Sequence, residues 1–400
     1  MTYSCRNCEA SLDTCVIDLG HHPPSNAYLS ESQLLQPEKT YPLKVYICKK
    51  CWLMQLPEHA SSQELFTPDY AYFSSTSKSW CLHAKSFVNY AVQRLGLNSK
   101  SHVIEIASND GYLLQYVKEK GISCLGIEPT SATAEFSKIK GINTIEKFFD
   151  FEISNSLDKA DLVIANNVLA HVPNVKDFVR GIANVLKRNG QVSIEFPHLL
   201  RLLVGNQFDT IYHEHYSYFS LKSVENITSS VGLSIIDVEE ISTHGGSLRV
   251  WLSHEGTFER NSKVEEILNL ETAAGLEKIE AYLNFQKRAE ETKFKLLEFL
   301  IKKKKDGKKI LGYGAAAKGC TLLNYAGIKS DLIPAVADAA KSKQGKYLPG
   351  SHIPIITPEQ FNTEKSDMVL VFPWNIISEL KVKFQSNQII TAIPSLKIWD

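Results

Sequence analysis

Residues 101–121 read SHVIEIASNDGYLLQYVKEKG, and this stretch decides the fold of the central part of the chain. It begins with β-branched and apolar residues, passes through a polar turn at residues 107–111, and continues with helical spacing. A buried strand followed by a tight turn and a helix is the repeating unit of a parallel sheet flanked by helices. The sequence therefore predicts an α/β fold in this region.

The same alternation of strand and helix continues through the middle of the chain. Further strands are predicted in CLGIEPT (124–130), INTIEKFF (142–149), DLVIANNVLAHV (161–172) and QVSIEFPHL (191–199), with a closing pair in LSIIDVEEIS (233–242) and SLRVWLSH (247–254). Ligands of such sheets bind outside the carboxyl ends of the strands. We therefore expect a cofactor at the turns that follow these strands.

Length and composition narrow the class of protein. The 400 residues suggest two or three domains, and 44% hydrophobic residues are typical of a globular protein. Lys+Arg 44 balance Asp+Glu 44, so we expect neither nucleic acid nor a membrane as partner. No secretion signal or membrane-spanning run is visible, and eight cysteines then indicate reduced thiols or metal ligands. We expect a cytoplasmic protein.

Two CxxC pairs stand within the first 51 residues. They are CRNC and CKKC, formed by Cys5, Cys8, Cys48 and Cys51. Four thiolates complete the tetrahedral shell of a structural Zn²⁺ ion, and a loop containing HHPPSNAYL must then bulge between the pairs. The competing ligands are Cys15, His21 and His22. The alternatives are four reduced thiols with fortuitous spacing and a nucleic-acid zinc finger, but the segment has no basic stripe; structural zinc is favoured.

The cofactor is inferred from the turns after the first two predicted strands. Glu128 suits a ribose diol, which both NAD and S-adenosylmethionine carry. The first turn contains one glycine where NAD sites require GxGxxG, and its carboxylates suit a sulfonium better than a pyrophosphate. We predict S-adenosylmethionine, with a Rossmann-like domain that binds no cofactor as the alternative. The predicted cofactor-binding residues are Glu105, Ala107, Asn109, Asp110, Gly111, Glu128, Asn166 and Asn167.

The last third of the chain predicts a second nucleotide-binding sheet. Residues 258–305 have the spacing of two connecting helices broken at Gly275. KKILGYGAAAKGCTLLNYAG (308–327) then predicts a strand, a glycine turn and a helix, and later strands make a Rossmann-like domain. Gly314 allows a backbone amide cradle for a diphosphate, and Lys318 is a candidate partner for its charge. A turn used only for packing is the alternative.

Many motifs along the chain resemble one family. The segments EIASNDGYLL, GIEPT, ANNVLAHVPN, IEFPHL and QFDTIYHEHYSYFS are similar to those of sugar C-methyltransferases that act on nucleotide-linked 4-ketohexoses. The resemblance continues through THGGSLRVWL, GYGAAAKGCTLLNYAGI, YLPGSHIPI and FPWNI, and it includes the paired cysteines. It therefore covers nearly the whole chain. Ala107, where glycine is common, and Tyr216, where phenylalanine is usual, are slight departures.

The resemblance implies three domains and one reaction. A zinc-binding domain is expected at residues 1–66, a class I S-adenosylmethionine-dependent methyltransferase domain at 67–256, and a Rossmann-like nucleotide-sugar domain at 257–400. Family members transfer methyl to carbon 3 of a 4-keto-deoxyhexose. Two rival readings stay open: a nicotinamide-dependent nucleotide-sugar oxidoreductase or epimerase, and an inactive zinc-bearing binding protein. Monomer and homodimer are both compatible with the sequence.

The resemblance also assigns roles in DTIYHEHYSYFS (209–220). A carbonyl at carbon 4 acidifies the hydrogen on carbon 3, and a histidine with a pKa of about 6.5 accepts such a proton near neutral pH. His215 is implied as the base, and Glu214 beside it is expected to orient it, to raise its basicity or to hold a sugar hydroxyl. Tyr212 is expected to bond the sugar or the enolate oxygen, and the resemblance also places His171 in the active site, at the edge where the methyl group arrives. The expected substrate-binding residues are Tyr70, Tyr72, Gly314 and Lys318, although an ordinary linker is the alternative for the two tyrosines.

Overall fold

The computed structural model describes residues 3–67, 73–381, 384 and 387–399. The predictions for Tyr70 and Tyr72 therefore lie outside the described residues. Within the described ranges the strands form four sheets. In the same part of the chain, no helix combines the length and the apolar composition needed to cross a membrane.

The N-terminal part is mainly antiparallel sheet. Its elements are β1 (Tyr3–Ser4), β2 (Ser11–Leu12), β3 (Thr14–His22), β4 (Tyr41–Ile47), β5 (Met54–Gln55) and the helix α1 (Ser62–Leu65). β1 pairs with β2, and β4 pairs with both β3 and β5. Inward-facing residues alternate along β4 (Leu43, Val45 and Ile47), as expected of a sheet with one buried face.

The central part is a seven-stranded sheet covered by helices. The strands of this part of the chain are β6 (His102–Ile106), β7 (Ser123–Ile127), β8 (Asn143–Ile145), β9 (Ala160–Ile164), β10 (Leu186–Pro197), β11 (Ser217–Tyr218), β12 (Leu233–Ile241) and β13 (Ser247–His254). All of them except β11 belong to the seven-stranded sheet, and β11 pairs with β5 of the N-terminal sheet. Its helices are α2 (Lys78–Leu95), α3 (Leu114–Glu119), α4 (Ser131–Ile139), α5 (Phe151–Ser154), α6 (Val175–Val185), α7 (Leu199–Val204) and α8 (Leu221–Ser229).

The strand order of this sheet is that of a class I methyltransferase. It runs β12-β13-β10-β9-β6-β7-β8, and β13 is antiparallel to both of its neighbours whereas the other pairs are parallel. The predicted closing pair is confirmed, since β12 and β13 begin and end within one residue of the predicted segments. The predicted fourth strand was too long, because its second half, NNVLAH, forms the polar turn beyond β9.

The C-terminal part is a six-stranded sheet with helices around it. Its elements are α9 (Ser262–Ala273), α10 (Phe285–Lys305), β14 (Ile310–Tyr313), α11 (Ala317–Ala326), β15 (Val336–Ala337), β16 (Ile355–Ile356), α12 (Pro358–Thr363), β17 (Met368–Val371), α13 (Ile377–Lys381), β18 (Gln388–Thr391) and β19 (Lys397–Trp399). The order β16-β15-β14-β17-β18-β19 is parallel except for β19, which confirms the second Rossmann-like sheet. Short 3-10 turns occur at Ser32–Leu35, Ser74–Thr76, Leu169–His171, Phe208–Thr210, Thr243–Gly245, Ile279–Ala281 and Trp374–Ile376.

The three parts share their hydrophobic cores. One cluster joins Val45 of the N-terminal sheet to Phe208 of the central part and to Leu323 of α11. A second cluster packs Cys48 and Leu53 with the core around α6. The N-terminal segment is therefore packed into its neighbours as well as carrying the paired cysteines. The domain boundaries at 66/67 and 256/257 stay predictions.

A buried carboxylate ties the connecting helix α9 to the central part. Glu271 is 1% exposed, and its Oε1 accepts from His198 Nε2 at 2.7 Å and from the Leu221 amide at 2.6 Å. Its Oε2 accepts from the Lys222 amide at 3.0 Å. These amides open α8, so Glu271 caps that helix from another part of the chain and also complements the positive end of its dipole.

We expect Glu271→Ala to lower the free energy of unfolding by about 3–5 kcal/mol, because it leaves a buried histidine and two helix amides without their acceptor. Urea unfolding followed by circular dichroism measures the change. Glu266→Ala, at an exposed position of the same helix, is the matched control and should change stability by less than about 1 kcal/mol. Equal effects of the two substitutions would contradict the cap.

Candidate active site

The turn after β6 is held in an unusual backbone conformation. Ala107, Asn109 and Gly111 all have positive φ, at 56°, 50° and 72°. A left-handed residue with a side chain costs roughly 1–2 kcal/mol, which explains why glycine suits the position of Ala107. At Gly111 a Cβ would lie 2.5 Å from Ile142 Cδ1 and 2.9 Å from Ser137 Oγ, so glycine is required. The turn follows β6 at the carboxyl edge of the parallel strands, which is where ligands of such sheets bind.

Three carboxylates are buried together beside this turn. Glu105, Asp110 and Glu128 are 2%, 1% and 4% exposed. Burial, together with the charges of Glu128 and Asp110, raises the pKa of Glu105 well above its usual value. Glu105 Oε2 and Asp110 Oδ1 have no hydrogen-bond partner among the described residues. Lys140 Nζ lies 3.4 Å from Asp110 Oδ2. A group of buried carboxyl oxygens without full partners suits a cationic ligand better than a pyrophosphate.

Glu128 is oriented at the end of β7. Its Oε1 accepts from the amide and hydroxyl of Thr130 at 3.0 and 2.5 Å, and its Oε2 accepts from the amide of Asn109 at 2.9 Å. One hydrogen bond therefore joins Glu128, which is predicted to bind the ribose, to the predicted cofactor-binding turn at residues 107–111. Both lone pairs of Oε1 are used by Thr130, whereas Oε2 still has one with which to accept a ribose hydroxyl.

The two asparagines after β9 join a network that sequence reasoning missed. Asn167, with φ of 57°, donates its amide to the Glu195 carbonyl at 2.7 Å, and Asn166 Nδ2 donates to Glu195 Oε1 at 3.3 Å. Arg249 Nη2 lies 2.5 Å from Glu195 Oε1, and His83 Nε2 lies 3.1 Å from Oε2. Glu195 and Arg249 face each other because β10 and β13 pair in that register, which no local sequence signal specifies.

His215 lies at the centre of the candidate site and has a defined tautomer. Its Nδ1 is 2.9 Å from the Thr210 carbonyl, which only accepts, so Nδ1 carries the hydrogen. Its Nε2 therefore carries the lone pair and accepts a hydrogen bond from the Tyr212 hydroxyl at 2.8 Å. Burial, and then the nearby His171, lower the pKa of His215 well below its usual value. The ring is held neutral, which is the form a base requires.

His171 lies against His215, as the sequence predicted. The two ring centroids are 4.8 Å apart, and Phe66 covers the other side of His171 at 5.7 Å. Burial lowers the pKa of His171 to about 4, although a hydrogen bond with the backbone of Glu214 opposes the shift. Its Nδ1 is buried and has no partner among the described residues. The His171 ring therefore presents an unoccupied polar atom to the site.

The neighbours of His215 in the motif divide into two groups. Glu214 is 2% exposed and accepts from Asn26 Nδ2 at 2.7 Å, a contact that sequence reasoning missed. The second group packs, as expected: Tyr216, Tyr218 and Phe219 are at most 5% exposed, and His213 Nε2 bonds the carbonyls of Tyr41 and Pro42. The motif is thus a buried loop with one polar face.

The four paired cysteines fit a tetrahedral metal. Their Sγ atoms all lie within 4.8 Å of one another, and the Cys5–Cys51 and Cys8–Cys48 distances are both 3.5 Å. Zn–S bonds of about 2.3 Å place the sulfurs about 3.8 Å apart in a tetrahedron. Glu9 and Trp52, each following the second cysteine of a pair, have φ of 62° and 58°, so the two turns share one conformation. These four thiolates would hold Zn²⁺ as a closed, structural site.

The first cysteine turn also fixes the loops of the candidate site. Arg6, between the ligands Cys5 and Cys8, donates to the Pro173 carbonyl at 2.6 Å, two residues beyond His171. Gln55 Nε2 donates to Cys5 Sγ at 3.1 Å, and Gln55 pairs with Ser217 of β11. The metal module thus contacts both loops that carry His171 and His215.

The glycine turn of the C-terminal sheet lies near the histidine motif, because the helix that follows it contacts residue 211. Gly314 has φ of 87°, and a Cβ there would lie 2.5 Å from Pro373 Cδ. Lys318 Nζ donates to Asn375 Oδ1 at 2.9 Å and lies 4.5 Å from the ring centre of Trp374. Burial lowers the pKa of Lys318, against the opposing charge of Asp209.

Asp209 connects this turn to the histidine motif. Its Oδ2 accepts from Trp374 Nε1 at 2.7 Å, and burial raises its pKa to about 6. Thr321 of α11 also donates to the Ile211 carbonyl at 2.8 Å. The predicted diphosphate residues and the predicted base therefore lie on opposite sides of one interface.

We expect the purified protein to contain one zinc ion per chain. Cys48→Ser should lose the metal and unfold at a lower temperature, because metal binding is coupled to folding of the cysteine turns. Metal analysis of the dialysed proteins and thermal unfolding measure both effects. Cys15→Ser, at an exposed cysteine outside the cluster, is the control and should keep the metal. Full zinc content in Cys48→Ser would contradict the site.

We also expect His213 to make stability depend on pH. Burial lowers the pKa of His213 from 6.5 to about 4, so the unfolded chain binds a proton there that the folded chain does not bind between these values. Its contribution to stability is therefore lost as pH falls from about 6.5 towards 4. Urea unfolding at pH 7 and at pH 5 gives the fall in the free energy of unfolding between the two pH values. We expect this fall to be about 2 kcal/mol smaller in His213→Asn than in the wild type. Parallel losses in the two proteins would show that His213 does not titrate in this way.

The comparisons with known proteins agree with this arrangement. A zinc binding domain model matches residues 5–66, a methyltransferase domain model matches 82–238, and a C-methyltransferase C-terminal domain model matches 242–394. The methyltransferase match covers the sheet that holds the buried carboxylates. S-adenosylmethionine is the methyl donor, and the nicotinamide oxidoreductase and inactive binding protein are set aside.

Solved structures and a curated relative were also found. Magnesium protoporphyrin IX methyltransferase from Synechocystis PCC 6803 with bound SAM is 16% identical, with a TM-score of 0.36 over 44% of this chain and 79% of that chain. The PH0226 protein from Pyrococcus horikoshii OT3 is 13% identical, with a TM-score of 0.39 over 46% and 95%. C-methyltransferase NovU from Streptomyces niveus is 33% identical over 381 residues, which cover 94% of this chain and 90% of NovU. With that identity over almost its whole length, and with the three domain models matched in order, the chain belongs to the C-methyltransferase family.

Proposed function

We propose that this enzyme transfers a methyl group from S-adenosylmethionine to carbon 3 of a nucleotide-linked 4-keto-deoxyhexose, in the biosynthesis of a branched deoxysugar. The observation that carries the proposal is the buried, neutral His215, whose lone pair is held by Tyr212 beside the interface with the C-terminal glycine turn. The relative NovU, a C-methyltransferase, agrees with methylation at carbon.

Carbon attacks a methyl group only after it has lost a proton. When bound, S-adenosylmethionine supplies the electrophilic methyl group on a positively charged sulfonium. A ketone at carbon 4 makes the neighbouring C–H acidic, and a base with a depressed pKa stays neutral and ready to accept the proton. The buried Asp110 supplies negative charge and the buried Glu105 supplies an oxygen without a partner among the described residues, which suit a sulfonium and an amino group.

His215 and Tyr212 act as one unit in this proposal. The proton removed from carbon 3 ends on His215 Nε2, either after Tyr212 turns away from that atom or by transfer through its hydroxyl oxygen. The Thr210 carbonyl holds the Nδ1–H and stabilises the positive imidazolium that results. Freed from His215, the Tyr212 hydroxyl can donate to the enolate oxygen. Glu214, next in the chain to His215, supplies negative charge that favours the imidazolium.

His171 serves the sugar in a different way. Its buried Nδ1 has no partner among the described residues and, in the tautomer with the hydrogen on Nε2, it is an acceptor. An acceptor at that position suits a sugar hydroxyl. Because burial holds the pKa of His171 at about 4, the ring adds no positive charge near the sulfonium.

The C-terminal turn supports recognition of a diphosphate. Helix α11 begins at Ala317 without a side-chain cap, so its first amides point to the cleft from a helix amino terminus. Lys318 is one cation at this turn, and Lys343, which donates to the Ala315 carbonyl at 2.9 Å, is a second one that the sequence did not single out. A nucleotide sugar would then lie with its diphosphate on Gly314 and its hexose toward His215.

Cytoplasmic location and a monomeric or homodimeric state stay predictions.

The proposal is tested by offering the purified enzyme S-adenosylmethionine and a panel of nucleotide-linked 4-ketohexoses, then analysing the mixture by mass spectrometry. We expect one class of ketosugar to gain the mass of one methylene, with S-adenosylhomocysteine formed in equal amount. Methylation at oxygen, or of the 4-hydroxy sugars offered as controls, would overturn the proposal.

We expect His215→Asn to lower kcat by about 10²–10⁴-fold, because general-base catalysis contributes an effect of this size. Glu214→Gln should lower kcat less, since it removes a charge and keeps the base. Calorimetry with S-adenosylhomocysteine should give unchanged affinity for both variants, which separates loss of catalysis from loss of folding. A near-normal rate for His215→Asn would refute the assignment of the base.

A further inference from the structure

The loop between the two cysteine pairs reaches into the candidate active site. Residues 23–29 read PPSNAYL, and they extend from the N-terminal sheet to the interface of the other two domains. Asn26 Nδ2 donates to Glu214 Oε1 at 2.7 Å, and the Tyr28 hydroxyl donates to the Ala315 carbonyl at 2.6 Å. Two adjacent contacts of one loop thus end on the histidine motif and on the glycine turn.

The loop is held in place along its length. Pro23 and Pro24 restrict the backbone at the start of the loop, and the Ala27 amide donates to the Pro24 carbonyl at 3.1 Å. Leu29 then exchanges two backbone hydrogen bonds with Tyr347 of the C-terminal domain, at 3.0 and 2.8 Å. Fixed at both ends, the loop presents Asn26 with little conformational freedom.

The chemistry of the Asn26–Glu214 pair is suited to holding a carboxylate without neutralising it. A carboxylate that is 2% exposed needs donors, because desolvation penalises its charged form. A lysine or arginine donor would cancel the negative charge that favours a protonated His215. The neutral amide of Asn26 fixes the direction of Glu214 and leaves its charge available to the neighbouring imidazole.

We propose that Asn26 is a positioning residue for the methyl transfer: it fixes the carboxylate of Glu214, and through it the N-terminal loop becomes part of the active site. The inference rests on the proposed function, in which Glu214 assists the base. It gives the N-terminal domain a role in the reaction beyond holding a metal.

The test compares three single variants in the full-length, zinc-loaded enzyme with the ketosugar that the wild type methylates. Asn26→Ala removes the donor and the volume of the side chain. Asn26→Asp keeps the volume, removes the donor, and places a like charge against Glu214. Ala27→Ser is the matched control, because residue 27 is exposed and lies in the same loop.

We expect Asn26→Ala to lower kcat by about 10- to 100-fold, the effect of losing a hydrogen bond to a charged group. Asn26→Asp should lower it at least as far, while KM for S-adenosylmethionine changes by less than about twofold in either variant and Ala27→Ser behaves as the wild type. Zinc content and calorimetric affinity for S-adenosylhomocysteine should stay unchanged, which shows that the variants are folded.

The relative activities of the two Asn26 variants distinguish a positioning role of Asn26 from a packing role. If Asn26 only fills space, Asn26→Asp would retain more activity than Asn26→Ala, and that result would overturn the inference. Activities of both variants equal to Ala27→Ser would overturn it as well. Failure of the proposed function is recognised separately, because the wild type would then methylate no ketosugar in the panel.

Discussion

The arrangement of the active site depends on one short strand pairing. Ser217 and Tyr218, at the end of the histidine motif, form a strand with Gln55 and Met54 of the N-terminal sheet. The pairing continues in the hydrogen bond from the Leu56 amide to the Tyr216 carbonyl at 2.9 Å. The loop that carries His215 therefore belongs to the sheet next to the metal module as much as to the methyltransferase domain. Without this pairing, the motif would be a polar connection between α7 and α8.

Burial of this loop explains its electrostatics. An exposed histidine would be partly protonated near neutral pH, and the protonated fraction could not accept a proton. In the folded chain, desolvation depresses the pKa of His215 and His171, and the hydrogen bond to the Thr210 carbonyl fixes the tautomer of His215. The opposite arrangement occurs at the turn after β6, where buried carboxylates lack cationic partners of equal number. The two regions thus differ, since the histidines are held neutral and the turn after β6 carries the buried carboxyl groups.

Much of this could be predicted from the sequence, because the relevant signals are local. Runs such as SHVIEI and LVIA, which precede polar turns, gave the parallel sheet, and the alternation in 247–254 gave the closing strand. The CxxC spacing indicated the metal ligands without any knowledge of the fold. Other features depend on tertiary contacts and have no local signal. Asn26 lies in a proline-containing loop that reads as a connection, and it meets Glu214 across 188 residues of chain. Arg249 meets Glu195 only through the register of two strands. The tautomer of His215 depends on a carbonyl five residues earlier, which becomes a partner only when the loop curls.

The central claim is that His215 removes the hydrogen of carbon 3 so that this carbon captures the methyl group. The most direct measurement uses a nucleotide-linked 4-ketohexose carrying deuterium at carbon 3, with the methylated product analysed by mass spectrometry and NMR. The account predicts a product that has gained a methyl group at carbon 3 and has lost the deuterium. A methylated product that keeps deuterium on that carbon would contradict it.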